Sequence, residues 1–415
     1  MSSFTSVMEH LNQTTELTKK WDLQKIAQII NKIKNNKTIN IQIVGTNGKG
    51  TTALFLQKIL CAHGLNVGLF TSPHLVQIEE RIRYNNEQIS SQDFVKIYSS
   101  LRDDFDRLKL SYFEKLVAVA AKFYSDNLPH FVVWEAGLGG RLDATTAMGS
   151  DVVLFTPIAK DHTEYLGDSI AQITCEKFFV SQYASIIFSA PQDVEVREVM
   201  EKQAQDYCKK INFIPQVRNY KINTNATAFS IEDNDISIPM YGGHYAQNAM
   251  LAWKTAQHLL QQKFCAASAI KSLKIASWPG RLQVTKHNDE YYIFSCAHNV
   301  HSLKSDLNTL ETMIDKNIVP SNLGIVFSIT RDRPVEEHME LITHYFPQNK
   351  VVVAQANQHH PLAKNVSKNY KTTQNFKQAI STLSKQGIDN YLVIGSIYLV
   401  GEAYKYLNLR VGAST

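Results

Sequence analysis

The chain has 415 residues, 44% of them apolar and 20% charged, with a formal net charge of +5. That length exceeds one ordinary core and predicts two domains of a compact enzyme. The positive excess is spread thinly, and its densest cluster, Lys32-Ile33-Lys34-Asn35-Asn36-Lys37, reads as a solvated helix end, which argues against a nucleic-acid partner. Five cysteines (Cys61, Cys175, Cys208, Cys265 and Cys296) stand far apart without a CxxC pair. That pattern predicts no disulfide framework and no zinc site, and it suits a reducing cytoplasm. No basic-then-apolar leader follows Met1, and no run reaches the roughly 18 apolar residues of a spanning helix, so no membrane role is expected.

In chain order, the first strong signal is Ile41–Val44, a buried strand. It breaks into Gly45-Thr46-Asn47-Gly48-Lys49-Gly50-Thr51 and then opens a helix over Thr52–His63. Glycines let backbone N–H groups converge on an anion, the helix start adds its positive dipole end, and Lys49 adds a full charge. This is a triphosphate cradle. Gly50 separates Lys49 from Thr51, whereas the common P-loop places Ser or Thr directly after the lysine. Thr51 reads as a plain helix cap or as a hydroxyl that meets Mg²⁺ or phosphate.

Next, Phe70-Thr71-Ser72-Pro73-His74-Leu75 reads as a strand ending in a proline turn, and Glu114–Tyr124 as a helix with Leu116, Val117, Ala120, Ala121 and Tyr124 at helical spacing. The strand Phe131–Trp134 leads into Glu135-Ala136-Gly137-Leu138-Gly139-Gly140-Arg141-Leu142-Asp143-Ala144-Thr145. Glu135 therefore stands at a strand's carboxyl end, where parallel α/β sheets bind ligands, and a divalent cation on a triphosphate needs such a carboxylate. Arg141 and Asp143 read as braces of that loop. After the strand Val152–Phe155 comes Asp161-His162, and Lys177 follows in Cys175-Glu176-Lys177. Ser72, Glu135, His162 and Lys177 thus come after successive strand ends or in the loops that follow them. Ile186–Phe188 is a further strand, and Asn223–Met240 reads as a hairpin-rich insert.

Pro279-Gly280 punctuates the chain and predicts a boundary between domains 1–279 and 280–415. A second alternating series follows, with strands Tyr291–Phe294, Leu323–Phe327, Val351–Ala354 and Tyr391–Ile394 between helices Leu303–Met313, Val335–His344 and Asn375–Lys385. The alternation predicts an α/β fold with a parallel sheet in each half.

These motifs together resemble the folylpolyglutamate synthase/dihydrofolate synthase family of the Mur ligase superfamily. The similarity is carried by Gly45–Thr51, Thr71–Leu75 with Glu80-Arg81-Ile82-Arg83, Tyr112-Phe113-Glu114, Glu135–Thr145, Asp161-His162 and Glu176-Lys177. Further on it is carried by Gly243-His244-Tyr245-Ala246-Gln247-Asn248-Ala249, Pro279-Gly280-Arg281, Ala297-His298-Asn299 and Gly395–Glu402. The resemblance implies a P-loop, Mur-ligase-like ATPase domain with a parallel sheet and a smaller Rossmann-like α/β C-terminal domain. It implies ATP-dependent addition of L-glutamate to a folate carboxylate, on tetrahydrofolate and on dihydropteroate, through an acyl phosphate.

It also implies roles. Gly45 to Thr51, Asn248, Arg281 and Ser295 would meet the nucleotide. Thr51, Ser72, Glu135 and His162 would hold Mg²⁺, in one or two sites. Lys49, His162, Lys177 and His298 would serve catalysis, with Lys177 carbamylated, and the family pattern leaves room for a monovalent cation. The protein would act as a cytoplasmic monomer on small molecules alone.

Two departures stand out. The family usually has Asp-Gly-Ala-His-Asn-Pro where this chain has Ser295-Cys296-Ala297-His298-Asn299-Val300, and its bifunctional bacterial members usually carry a Gly-Leu-x-Arg type run where this chain has Glu16-Leu17-Thr18-Lys19-Lys20-Trp21-Asp22-Leu23. The first removes a carboxylate from the nucleotide side, and the second bears on pterin recognition. Two other readings stay open: an amide ligase of the same superfamily on a non-folate carboxylate, and a non-catalytic nucleotide-binding relative.

Overall fold

A computed structural model of the chain describes residues 3–14, 22–34, 37–330, 335–356, 362, 366 and 370–411. Two compact units form: Met1–His74, Ile78–Val217 and Gln247–Leu273 make the first, and Leu75–Gln77, Arg218–Ala246 and Lys274–Thr415 the second. The pterin-loop expectation at Glu16–Trp21 lies outside the described residues; Asp22 closes it by capping the helix Leu23–Ile33 through the Gln24 amide.

The first unit is built on eight strands: β1 (Ile39–Val44), β2 (Val67–Phe70), β3 (Ile82–Tyr84), β4 (Glu87–Gln88), β5 (Phe131–Glu135), β6 (Val152–Phe155), β7 (Ile186–Ser189) and β8 (Ile211–Phe213). They lie in the order β4-β3-β2-β5-β1-β6-β7-β8. The run from β2 to β8 is parallel, and β3 and β4 add an antiparallel edge that the sequence reading lacked. A continuous apolar run such as Phe131-Val132-Val133-Trp134 marks a strand covered on both faces. One covering cluster joins Phe70, Leu116, Val117, Tyr124 and Trp134, and another joins Phe155, Phe178, Ile187 and Met200.

Adjacent parallel strands bring their carboxyl ends to one edge. The order β2-β5-β1-β6 therefore sets Thr71-Ser72, Glu135, Gly45–Lys49 and Thr156–Ala159 side by side.

The second unit carries β9 (Tyr220–Asn223), β10 (Ala226–Ile231) and β11 (Asn234–Ile238), a three-stranded antiparallel sheet where the hairpin-rich insert was expected. Six more strands follow: β12 (Arg281–His287), β13 (Glu290–Ser295), β14 (Gly324–Phe327), β15 (Val351–Ala354), β16 (Lys371–Thr373) and β17 (Tyr391–Ile394). Their order is β12-β13-β17-β14-β15-β16, with β12 antiparallel to β13 and the rest parallel. Leu303, Leu307, Leu310 and Met313 pack one helix onto this sheet beside Ile325, Phe327, Leu392 and Ile394. Among the described residues no helix is long and apolar enough to cross a membrane.

Candidate functional site

The glycine turn starts as β1 ends. Its helix runs over Lys49–Ala62, not Thr52–His63, because Gly48 takes the left-handed conformation (φ +86°) that closes the turn just before Lys49. Thr51 is therefore inside the first helical turn and is not its cap. The N-cap is Gly48, which offers no side chain to the first amides. The helices Tyr112–Asn127 and Val300–Asp315, in contrast, are closed by capping boxes at Ser111 and Asn299. An uncapped start of a 14-residue helix keeps its orphan N–H groups and its dipole for an external anion.

The turn is clamped from the β6 side. The Thr46 amide donates to the Pro157 carbonyl at 2.9 Å. The Thr46 hydroxyl donates to the Ala159 carbonyl and accepts from the Ala159 amide, both at 2.9 Å. Lys49 Nζ reaches the Gly45 and Thr46 carbonyls at 3.2 Å each, so its charge is held over the turn. Asn248 packs on the other side: a Cβ on Gly48 would stand 2.6 Å from its Oδ1. That close approach and the positive φ together require glycine at 48.

Glu135 is buried at the end of β5, and its Oε2 accepts the Ser72 amide at 2.8 Å. A Cβ on Gly50 would stand 3.1 Å from the same oxygen, which places the carboxylate against the start of the Lys49 helix. Thus the fold gathers Gly45–Thr51, Ser72 and Glu135. His162 heads the short helix Thr163–Leu166, with its amide donating to Asp161 Oδ1 at 2.9 Å.

Lys177 lies near the end of the helix Ile170–Phe178, and its buried Nζ donates to the Gly45 carbonyl at 3.0 Å. Burial, helped by the like charge of Lys49, pushes its amine down to about 7, while Asp161 and Asp143 oppose the shift. The glycine-rich loop after Glu135 is tied to the same helix: Arg141 N–H donates to the Glu176 carbonyl, and its guanidinium pairs with the Glu176 carboxylate at 2.8 Å.

Asp143 is a brace, as its motif suggested. Its carboxylate accepts from the Leu138 and Thr145 amides and from the Thr145 hydroxyl, and burial pushes its acid up. Behind it Gln42, inside β1, donates to Thr145 and Thr146 and accepts from Ser150. Gln42 carries no motif; its signal is an amide within a buried strand, which demands polar partners.

The donor set around Glu135 suits a hard cation. Among the described residues no three His, Cys, Asp or Glu side chains gather as a metal cage. Mg²⁺ takes one or two carboxylates and completes its shell with phosphate oxygens and water. One carboxylate beside an open phosphate cradle fits a cation that arrives with its nucleotide.

The remaining expected residues lie in the second unit. Arg281 stands opposite Ser295 in the β12–β13 ladder. Ser295 is fully buried; its hydroxyl donates to Asp306 at 2.5 Å and accepts from the Ala297 amide at 3.1 Å. His298 is exposed, with Nδ1 2.9 Å from the Cys296 carbonyl, a contact that puts the proton on Nδ1. Asp306 escaped the sequence reading. Its signal was an acid on the apolar face of Leu303, Leu307 and Leu310.

No family model matches the chain. It is 28% identical over 327 residues to a dihydrofolate synthase/folylpolyglutamate synthase of Bacillus subtilis, covering 73% of this chain and 74% of that protein. A dihydrofolate synthase/folylpolyglutamate synthase of Buchnera aphidicola (from Acyrthosiphon pisum) is 26% identical over 404 residues, covering 94% of this chain and 93% of the relative. Among solved structures, the fold matches Mycobacterium tuberculosis folylpolyglutamate synthase complexed with ADP and AMPPCP at a TM-score of 0.87, with 22% identity over 98% of this chain and 99% of that one. It matches E. coli FolC in complex with DHPP and ADP at 0.82, with 23% identity over 98% of each chain.

Proposed function

The chain belongs to the folylpolyglutamate synthase/dihydrofolate synthase family, and on that premise we propose that it joins L-glutamate to a folate carboxylate with cleavage of ATP. The observation that carries the reading is the uncapped, lysine-bearing start of the Lys49–Ala62 helix, with the buried Glu135 carboxylate set against it.

A carboxylate is a poor electrophile and must be activated. A carboxylate oxygen of the folate attacks the γ-phosphorus of ATP, ADP leaves, and an acyl phosphate forms. The glutamate amine then attacks the acyl carbon; the C–N bond forms, inorganic phosphate leaves, and one proton is released. Charge spreads over the phosphoryl oxygens during the first step. Lys49 and the turn amides stabilise it there, preorganised by the Thr46 clamp. Bound Mg²⁺ would neutralise the same oxygens, with Thr51, Ser72, Glu135 and His162 as its protein ligands. Asn248 and Arg281 would contact the nucleotide, and His298 would act near its phosphates.

Lys177 supports a further assignment. An amine pushed down to about 7, chiefly by burial, has a substantial unprotonated fraction at physiological pH, and only a neutral amine adds CO₂ to give a carbamate. We assign Lys177 that modification, which would turn a buried cation into a carboxylate beside the turn. Depleting bicarbonate should lower turnover, and restoring it should recover turnover. The five cysteines are free thiols, which supports a reducing cytoplasm as the working compartment.

The test is phosphate release from Mg-ATP and L-glutamate, with tetrahydrofolate and dihydropteroate in separate reactions. Release with both makes the enzyme bifunctional. Release with tetrahydrofolate alone restricts it to polyglutamylation and ties the loss to residues 16–23. Release with neither sinks the folate reading in favour of another carboxylate or a silent nucleotide-binding relative.

A further inference from the structure

The second unit holds a buried acid that none of these roles uses. Asp306 is 5% exposed on the Val300–Asp315 helix, among Leu303, Leu307 and Leu310. An ionised group there has lost its water and must be held by partners. Three are present. Its Oδ2 accepts the Ser295 hydroxyl at 2.5 Å. Its Oδ1 lies 3.4 Å from His244 Nε2. The Arg281 guanidinium favours its charge, from the residue opposite Ser295 in the β-ladder.

The protonation states follow from these contacts. Partial desolvation lowers His244, with His301 and Arg281 adding to the shift, so the part-buried imidazole is neutral. Its Nε2 faces a carboxylate and keeps the proton, while Nδ1 accepts from the Ser305 hydroxyl at 2.9 Å. Burial pushes Asp306 up to about 6, against the Ser295 hydrogen bond and Arg281, so it is ionised above that pH. The buried hydroxyl of Tyr245 also faces this charge and is pushed up in turn, mainly by its own burial.

The contacts continue toward the expected nucleotide side. Ser295 Oγ, oriented by Asp306, accepts from the Ala297 amide, and His298 comes next in the chain. Position 295 is where the family pattern has an aspartate and this chain a serine.

We propose that Asp306 is the relocated carboxylate of this nucleotide site: from the neighbouring helix it supplies the anion absent at position 295, offsets the charge of Arg281 and, through Ser295, sets the Ala297–His298 turn for the nucleotide. It is a positioning residue. The proposal rests on the ligase reading and deepens it.

The test exchanges the two residues. Asp306→Ser, Ser295→Asp and the double exchange are compared for Mg-ADP binding by calorimetry, for KM and kcat with Mg-ATP, and for thermal unfolding. Each single change should weaken Mg-ADP about tenfold or more, the scale of a lost charge-assisted contact. In Ser295→Asp two carboxylates crowd one buried site. The double exchange should return to within about threefold of the parent, because one anion again faces Arg281. Asp306→Asn keeps the shape and an acceptor for Ser295, so it covers the case in which the single changes fail to fold. It should raise KM for Mg-ATP about tenfold with a smaller change in kcat and a native-like melt.

A folded Asp306→Asn protein with the parent's Mg-ADP affinity overturns the proposal. So does a folded double exchange that binds no better than the singles, or one that recovers only melting temperature, as a merely structural pair would. A parent that binds Mg-ADP but transfers no glutamate to tetrahydrofolate defeats the ligase reading alone, and the exchange still decides on Asp306.

Discussion

Lys49 and Lys177 share the Gly45 carbonyl and yet differ in what surrounds them. Lys49 is part-buried and spans the turn through two carbonyls, so it can follow a phosphate. Lys177 is buried and held to one carbonyl. Lys49→Ala should cut turnover by orders of magnitude and leave the melting temperature nearly unchanged; a folded variant with parental activity would sink the phosphate assignment. Lys177→Met should also abolish turnover, but its stability effect runs the other way. A buried amine that must shed its charge costs folding energy, and a hydrophobe of similar size does not.

The pH dependence has a definite sign. An unfolded lysine keeps its proton to 10.5, whereas folded Lys177 releases it near 7. Between those values the unfolded state binds more protons, so the Lys177 term stabilises the fold as pH rises from about 7 to about 10.5. In CO₂-free buffer, which keeps Lys177 a free amine, denaturant melts of parent and Lys177→Met should differ most at about pH 7 and converge toward about 10.5.

At the scale of elements, strand ends and caps decide where chemistry can occur. The site helix lacks a side-chain cap, whereas the Tyr112–Asn127 helix has a full capping box at Ser111 and Glu114. Ser111→Ala should cost about 1 kcal/mol of stability in denaturant melts without changing KM for ATP. Thr46→Val, nearly the same size, removes two hydrogen bonds that join the turn to the β6 side. It leaves the part-buried Ala159 amide and carbonyl without these partners, which costs less than the about 1–3 kcal/mol of a fully buried group. Much of that cost falls on the geometry of the turn, so KM for ATP should rise well beyond any change produced by Ser111→Ala. Equal KM effects from the two variants would refute the clamp.

For the whole molecule, ligand binding and folding are linked. A nucleotide that binds only the folded state stabilises it by RT ln(1 + [L]/Kd), about 2.7 kcal/mol at a hundredfold excess over Kd. ADP should therefore raise the melting temperature of the parent, and Lys49→Ala should lose most of the shift. An undiminished shift in that variant would place the nucleotide elsewhere.

The sequence by itself determined the elements that are buried on both sides or punctuated by glycine. β6, β15 and β17 have the bounds their apolar runs predicted, and the glycine turn, Glu135 at its strand end and the Asp143 brace were all legible. Each is a local matter of periodicity, backbone freedom or residue chemistry over a few positions. The antiparallel edge β3–β4 and the strand β12 were not legible, since half-exposed strands at a sheet edge take their identity from the neighbour they pair with. The strand order that aligns Ser72, Glu135 and Lys49 on one edge, the buried amine of Lys177 and the Asp306–Ser295 bond are likewise tertiary. The strand order and the Lys177 contact join residues far apart in the chain, the Asp306–Ser295 bond joins a strand to the helix that follows it, and burial, the largest cause of the shifted charge of Lys177 and Asp306, exists only once the fold has removed the water.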